Sequence, residues 1–110
     1  MTNLTDKKCV PCEGGVPPLS HGEAEKLLGE LHEWKIREDA KQISKEFTFK
    51  NFVEALAFAN KVGEIAEEEG HHPDMHVSWG RVGIDLSTHA AHGLSENDFI
   101  LAAKIDALSP

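Results

Sequence analysis

The sequence predicts an α+β domain in which a four-stranded, mostly antiparallel sheet carries three helices packed on one face, in the order α-β-β-α-β-β-α. Two observations lead to this prediction. A helix-start signal of one kind occurs three times along the chain, and two pairs of segments with period-two apolar alternation lie between the helices. Such alternation is typical of an antiparallel sheet with one buried and one solvated face.

The predicted helices each begin with a capping residue followed three positions later by a carboxylate. The three pairs are Ser20 with Glu23, Asn51 with Glu54, and Ser95 with Asp98. Such a pair satisfies free backbone amides and complements the positive end of the helix dipole. We expect the first helix to extend from residue 20 to about residue 31. The second ends at Gly70, before Pro73, and the third extends from residue 95 toward the C-terminus.

The predicted strands form two pairs, each joined by a short turn. Residues 34–36 and 43–49 make the first pair, with a charged turn at residues 38–41 between them. Residues 75–79 and 82–86 make the second pair, and the chain reverses at Gly80 and Arg81. The alternating positions of each strand supply the apolar face on which the helices are expected to pack.

The bulk composition indicates one ordinary globular domain. A chain of 110 residues buries about 65% of its unfolded surface, enough for a core without disulfides or metal. We interpret residues 1–19 as an extended N-terminal arm and residues 20–110 as a single domain. The net charge of −8, without a basic patch, argues against binding to nucleic acid. The sequence has neither an apolar run of membrane-spanning length nor the apolar core of a signal peptide, so we expect a cytoplasmic protein.

The two cysteines, Cys9 and Cys12, form a CxxC motif in a segment rich in proline and glycine. A structural zinc ion needs four ligands, and the chain contains no second CxxC to supply them. A thioredoxin-like redox pair would lie between a strand and a helix, which this segment does not. The motif therefore fits a passive N-terminal segment, or a metal shared between subunits or with His21.

The histidines indicate where function lies, because five of the seven fall between His71 and His92. His71 and His72, fixed by Pro73, follow the second helix, and His89 follows the last strand, so they are expected to meet at one rim of the sheet. Imidazole gives and takes protons near neutral pH, so this pattern predicts acid–base chemistry. Glu67 stands four positions before His71 and is expected to reach that ring.

Other interpretations of the histidines are also open. Paired histidines before a proline fit a simple helix cap, and three histidines can bind zinc, although HxH spacing is missing. Adjacent residues of an extended segment point in opposite directions, so one of His71 and His72 is expected to face a substrate directly. His76 is expected to lie on the solvated face of its strand. Backbone amides near Ala90 and Ala91, with the Thr88 hydroxyl, suit the polar edge of a heterocycle.

Several motifs together match a known family. In chain order they are Phe47-Thr48-Phe49-x-x-Phe52, Glu67-x-x-x-His71-His72-Pro73-Asp74, Val82-x-Ile84-x-Leu86-Ser87-Thr88-His89, Gly93-Leu94-Ser95-x-x-Asp98 and Leu101-Ala102. On these motifs the chain resembles the pterin-4a-carbinolamine dehydratases over residues 20–107. The resemblance implies the same α-β-β-α-β-β-α fold. It also implies a lyase that converts 4a-hydroxytetrahydropterin to quinonoid dihydropterin and water in tetrahydrobiopterin recycling, with no metal or redox cofactor.

The resemblance also implies roles for individual residues. The catalytic set falls on His71, His72, His89 and the acidic partner Glu67. The pterin-binding set falls on His71, His72, Pro73, Thr88, His89, Ala90 and Ala91. Within these sets we assign His71 and His89 as the acid–base pair and His72 as a substrate-binding residue. Met75 stands where animal members often carry an aromatic residue, which affects the wall of the pocket.

The resemblance leaves a second function class open. Some members bind the dimerisation helix of a transcription factor, so the chain is alternatively a protein-interaction module, either a transcriptional coactivator or an assembly chaperone on the same fold. A binding module has no need of three functional histidines, so their presence favours the enzyme. Exposed edge strands and the apolar length of the second helix predict a homodimer or homotetramer.

Overall fold

The computed structural model describes Leu4, residues 18–88 and residues 93–108, and it confirms the predicted α+β architecture. The helices are α1 (His21–Leu28), α2 (Phe52–Glu69) and α3 (Glu96–Asp106). The strands are β1 (Lys35–Ile36), β2 (Ile43–Thr48), β3 (Asp74–Ser78) and β4 (Arg81–Leu86). Five residues singled out in the sequence lie outside the described residues, namely Cys9, Cys12, His89, Ala90 and Ala91.

The sheet has the order β1-β2-β4-β3, and every neighbouring pair is antiparallel. The long strands β2 and β4 lie at its centre, with Ile43 opposite Leu86 and Phe47 opposite Val82. These four side chains are buried on one face, as the alternation predicts. The opposite face carries polar side chains, including Glu46 opposite Gly83, and stays open to solvent. The helices therefore cover one side of the sheet.

The core lies between the sheet and helices α2 and α3. The ring of Phe47 packs against Phe58 of α2, with ring centroids 4.7 Å apart, and meets Trp34 edge-on at 6.4 Å. Burial of each such aromatic side chain contributes about 1.5–3 kcal/mol to folding. Leu4 is 5% exposed and belongs to the same core cluster. None of the helices in the described part of the chain has the length and apolar character needed to cross a membrane.

The helix-start predictions hold for all three helices. Ser20 and Glu23 form a reciprocal capping box, and the bonds from the Ser20 backbone and hydroxyl lower the pKa of the Glu23 carboxyl. The Asn51 side chain accepts from the Glu54 amide at 2.9 Å. Helix α1 is shorter than expected, ending at Leu28 rather than near residue 31. The chain continues in isolated turns beyond Gly29 because it must reverse to enter the sheet.

Two strand predictions need correction at their ends. Strand β1 is only two residues long and excludes Trp34, whose indole N–H instead donates to the Asp106 carboxylate at 3.0 Å. Lys45 also binds that carboxylate, at 2.8 Å, so one buried ion pair ties β2 to the end of α3. Trp79 lies beyond β3 in the turn to β4, where its side chain is 72% exposed. Tertiary hydrogen bonds of this kind leave no periodic trace in a sequence.

We predict that Gly80→Ala lowers the free energy of unfolding by about 1–3 kcal/mol, because the β3–β4 turn strains any other residue. Gly80 has φ +72°, and an added Cβ would lie 3.1 Å from the Phe49 carbonyl oxygen. Gly63 of α2 has no such neighbour within 4 Å. Gly63→Ala is the control and should stabilise the protein by about 0.5–1 kcal/mol. Urea unfolding of both variants checks this, and equal midpoints would contradict it.

Candidate active site

The β3–β4 hairpin brings the two histidine-bearing segments to one end of the sheet. Asp74 at the start of β3 is paired with Asp85 near the end of β4. His71 stands three positions before Asp74, and Thr88 stands three positions after Asp85. The chain leaving α2 and the chain entering α3 are therefore neighbours. This geometry brings His71 to the same rim of the sheet as Thr88.

The end of α2 fixes the position of His71. Gly70 adopts the left-handed conformation with φ 66°, as its place after the last helical residue predicted. Its N–H donates to the Glu67 carbonyl at 3.3 Å, and the His71 N–H donates to the Ala66 carbonyl at 3.2 Å. These two bonds make a Schellman motif, which closes the helix and turns the chain sharply. His71 thereby leaves the helical register of α2 and faces α3.

The most important contact of the site joins His71 to Asp98. Its Nε2 lies 2.6 Å from Asp98 Oδ1; the His71 side chain is 12% exposed and that of Asp98 is fully buried. The other carboxylate oxygen accepts from the Thr88 hydroxyl at 2.7 Å and from the Ser95 N–H at 3.0 Å. An ionised carboxylate only accepts hydrogen bonds, so His71 Nε2 carries the hydrogen. In the neutral ring the second nitrogen, Nδ1, is then an acceptor.

Two hydroxyl groups, those of Ser95 and Thr88, are hydrogen-bonded in series to the Asp98 carboxylate. Thr88 Oγ1 lies 2.8 Å from Ser95 Oγ, and both residues are buried. Because the single hydrogen of the Thr88 hydroxyl goes to Asp98, Ser95 must donate to Thr88. A buried charge is stable only when its oxygens are fully hydrogen-bonded, and this network meets that requirement.

The second histidine of the pair has a different partner. His72 Nε2 lies 2.9 Å from Glu67 Oε1, with side chains 60% and 80% exposed. Glu67 was expected to reach His71, and that prediction is wrong. The expected spacing of four positions applies only within a continuous helix, and the left-handed turn at Gly70 moves His71 out of that register. The two adjacent imidazoles thus have separate partners on different elements, one buried and one exposed.

His72 borders a groove that runs along α2. The groove has a volume of about 960 Å³, within the range of small-molecule sites. Its lining includes Glu67 and Gly63 of α2 together with Pro73 and Met75. His72 and Pro73, both predicted substrate-binding residues, lie together on this one surface.

An ion pair holds α2 and α3 together beside the site. Lys104 Nζ of α3 lies 2.6 Å from Glu69 Oε2 at the last position of α2, and both side chains are largely buried. A pair shielded in this way is screened by salt less than a surface pair. It fixes the end of α2 against α3, and therefore keeps His71 within reach of Asp98.

Sequence reasoning missed Asp98 as the partner of His71. It identified Asp98 only through the spacing from Ser95, and the Ser95 N–H does donate to the carboxylate as that spacing predicts. The signal available was the buried context of α3, a largely apolar helix with a carboxylate in its first turn. His76 is 77% exposed on the open face of the sheet, as predicted. Within the described segments, no three His, Cys, Asp or Glu side chains converge as metal ligands.

Comparison with known proteins identifies the same family that the sequence motifs resemble. A family model described as Pterin 4 alpha carbinolamine dehydratase matches residues 17–108. A protein of Methylococcus capsulatus named pterin-4-alpha-carbinolamine dehydratase is 51% identical over 107 residues, which are 97% of this chain and 94% of the relative. A protein of Rickettsia canadensis with the same name is 55% identical over 108 residues, covering 97% of this chain and 98% of the relative.

Solved structures show the same fold. The crystal structure of a transcriptional coactivator/pterin dehydratase from Brucella melitensis superposes with a TM-score of 0.79 at 30% identity, covering 84% of this chain and 99% of that one. A pterin dehydratase-like protein described as a RuBisCO assembly factor in the alpha-carboxysome superposes with a TM-score of 0.61 at 26% identity. That match covers 71% of this chain and 90% of the other.

We predict that Asp98→Asn inverts the tautomer of His71, because the amide donates where the carboxylate accepts. The ¹⁵N chemical shifts of the His71 ring should show Nδ1 protonated in place of Nε2, and the free energy of unfolding should fall by about 1–3 kcal/mol. Glu67→Gln is the matched control, since it alters the exposed histidine–carboxylate pair, and it should cost less than about 1 kcal/mol. An unchanged His71 tautomer in Asp98→Asn would refute the proposed hydrogen bond.

Proposed function

Because this chain belongs to the pterin 4 alpha carbinolamine dehydratase family, we propose that it removes water from a 4a-hydroxytetrahydropterin to give quinonoid dihydropterin, in tetrahydrobiopterin recycling. The elimination needs an acid to protonate the departing 4a-hydroxyl and a base to remove the proton from N5. Its atoms balance without any change of oxidation state, so it calls for no redox cofactor, and the family resemblance implies no metal. The observation that supports this proposal best is the buried His71–Asp98 pair at 2.6 Å.

We assign His71 the role of the base, acting through Nδ1. When Nδ1 takes the N5 proton the ring becomes an imidazolium, and the adjacent Asp98 carboxylate stabilises that charge and holds the ring in one orientation. Positioned proton transfer of this kind contributes about 10²–10⁴-fold to a rate. We assign His89, the second member of the acid–base pair, the role of the acid that protonates the departing hydroxyl.

In this proposal the pterin is bound by His72, Pro73, Ala90 and Ala91. His72 and Pro73 face the groove along α2, and Glu67 orients His72 through the 2.9 Å contact. Ala90 and Ala91 supply backbone groups for the polar edge of the heterocycle. The groove gives room for the side chain of the pterin, and Met75 forms part of its wall.

We predict that the chain accelerates the dehydration of chemically generated 4a-hydroxytetrahydropterin and that a His71→Ala, His89→Ala double variant does not. His71→Ala alone should reduce kcat by about 10²–10⁴-fold. Ultraviolet absorbance follows the reaction, and the unassisted loss of water is subtracted. His76→Ala, which alters an exposed histidine on the open sheet face, is the matched control. A native chain no faster than buffer would overturn the dehydratase proposal.

We propose that the chain acts in the cytoplasm as a homodimer or homotetramer, and the exposed apolar surface of α2 supports the oligomer. Phe52, Val53 and Leu56 are 45%, 74% and 43% exposed, and they adjoin one another on the helix. Contiguous apolar patches of this kind on a folded protein mark interaction surfaces. The same surface would serve the alternative function, that of an interaction module, for which the Brucella melitensis structure described as a transcriptional coactivator/pterin dehydratase is the precedent.

We predict that the Val53→Glu, Leu56→Glu double variant sediments as a smaller species than the native chain, because negative charge on the apolar surface of α2 disfavours association. Sedimentation velocity at equal protein concentration measures this. Lys61→Glu, at an exposed position of the same helix, controls for the added negative charge and should keep the native mass. A native chain that sediments as a monomer would contradict the oligomer proposal and leave this surface for a different partner.

A further inference from the structure

Thr88 has each of its polar groups engaged inside the protein. Its hydroxyl donates to Asp98 Oδ2 at 2.7 Å and accepts from Ser95 Oγ at 2.8 Å. Its N–H donates to the Gly93 carbonyl at 2.7 Å, and its carbonyl accepts from the Gly93 N–H at 3.3 Å. The residue is 4% exposed. The hydroxyl was predicted to bind substrate, but in this arrangement it serves the carboxylate that holds His71.

The pairing of Thr88 with Gly93 also fixes the chain on both sides of residues 89–92. The two residues form an isolated antiparallel bridge, so the chain enters that segment directly after Thr88 and leaves it at Gly93. Gly93 is itself closely packed, since a Cβ at this position would lie 3.1 Å from Cβ of Pro18. The next residues along, Leu19 and Leu94, are joined by a backbone hydrogen bond of 2.8 Å. The Thr88–Gly93 bridge is therefore held against the segment that contains Pro18 and Leu19.

We infer that Thr88 is a positioning residue for His71, the base of the acid–base pair. Its hydroxyl sets the orientation of Asp98 and hence of the His71 ring, and the bridge to Gly93 holds its own backbone in place. The orientation of the His71 imidazole therefore depends on this one buried residue. This inference rests on the proposed dehydratase function, in which His71 and His89 act on one substrate.

The test compares Thr88→Val, which keeps the shape of the side chain and removes the hydroxyl, with Thr88→Ser, which restores the hydroxyl. Thr88→Val should lower kcat by about 10-fold or more with KM within about 2-fold, because a small misplacement of a catalytic group costs rate rather than binding. Thr88→Ser should recover most of the lost kcat. Thr48→Val, the same change at an exposed position of β2, is the matched control.

A second readout is independent of turnover. The His71 Nε2–H proton, held in a 2.6 Å bond to Asp98, should give a far-downfield ¹H resonance that shifts or broadens in Thr88→Val and returns in Thr88→Ser. If Thr88→Val does not fold, Thr88→Cys replaces it, since a thiol fills similar space but donates weakly. Its kcat and resonance should change in the same direction.

The possible outcomes distinguish a failure of the inference about Thr88 from a failure of the proposed dehydratase function. An active native chain whose Thr88→Val variant keeps both native kcat and the native resonance would overturn the positioning role and leave the dehydratase function standing. A fall in kcat that Thr88→Ser does not reverse would likewise overturn it, because the hydroxyl would then not be responsible. A native chain no faster than buffer would overturn the proposed function and, with it, the catalytic role of Thr88, whatever the resonance shows.

Discussion

The candidate site depends on the burial of one negative charge, the Asp98 carboxylate. Removing a carboxylate from water costs several kcal/mol unless hydrogen-bond donors replace the lost solvent. Here three donors do so, and they come from the chain after α2, the chain after β4 and the residue that caps α3. The carboxylate also lies in the first turn of α3, where the helix dipole favours negative charge. The Asp98 carboxylate is therefore stable in the core only when these three parts of the chain come together around it.

The same constraint distinguishes two histidines that are adjacent in the sequence. His71 meets a fully buried carboxylate, whereas the partner of His72 is exposed to water. A hydrogen bond to a charge is stronger and more restrictive in a region of low dielectric constant. The pair therefore combines one ring held by a buried partner and one whose partner is exposed. The left-handed Gly70 before the two residues contributes to this division, because it moves His71 out of the helical register of α2.

Much of the fold could be predicted from the sequence because local signals agree with the global arrangement. Capping pairs located the helix starts, glycine located the end of α2, and alternation located the buried face of the sheet. The partners within the site were harder to predict. Glu67 was assigned to His71 by helical spacing, and a single left-handed residue invalidated that reasoning. Asp98 was recognised as a capping residue only, because the contact with His71 spans 27 positions and depends on how β3 and β4 pair.

The hairpin between the two halves of the site has a consequence for the order of folding. His71 and Thr88 are seventeen positions apart, yet pairing of Asp74 with Asp85 leaves only three positions on each side to be ordered. Each halving of the length of a loop reduces the entropic cost of closing it by about 0.6 kcal/mol. Early formation of the β3–β4 hairpin therefore lowers the free-energy cost of assembling the cluster of His71, Thr88 and Asp98. The hairpin forms from neighbouring residues and needs no part of α3. The cluster would then close late, as the step that brings α3 onto a sheet already in register.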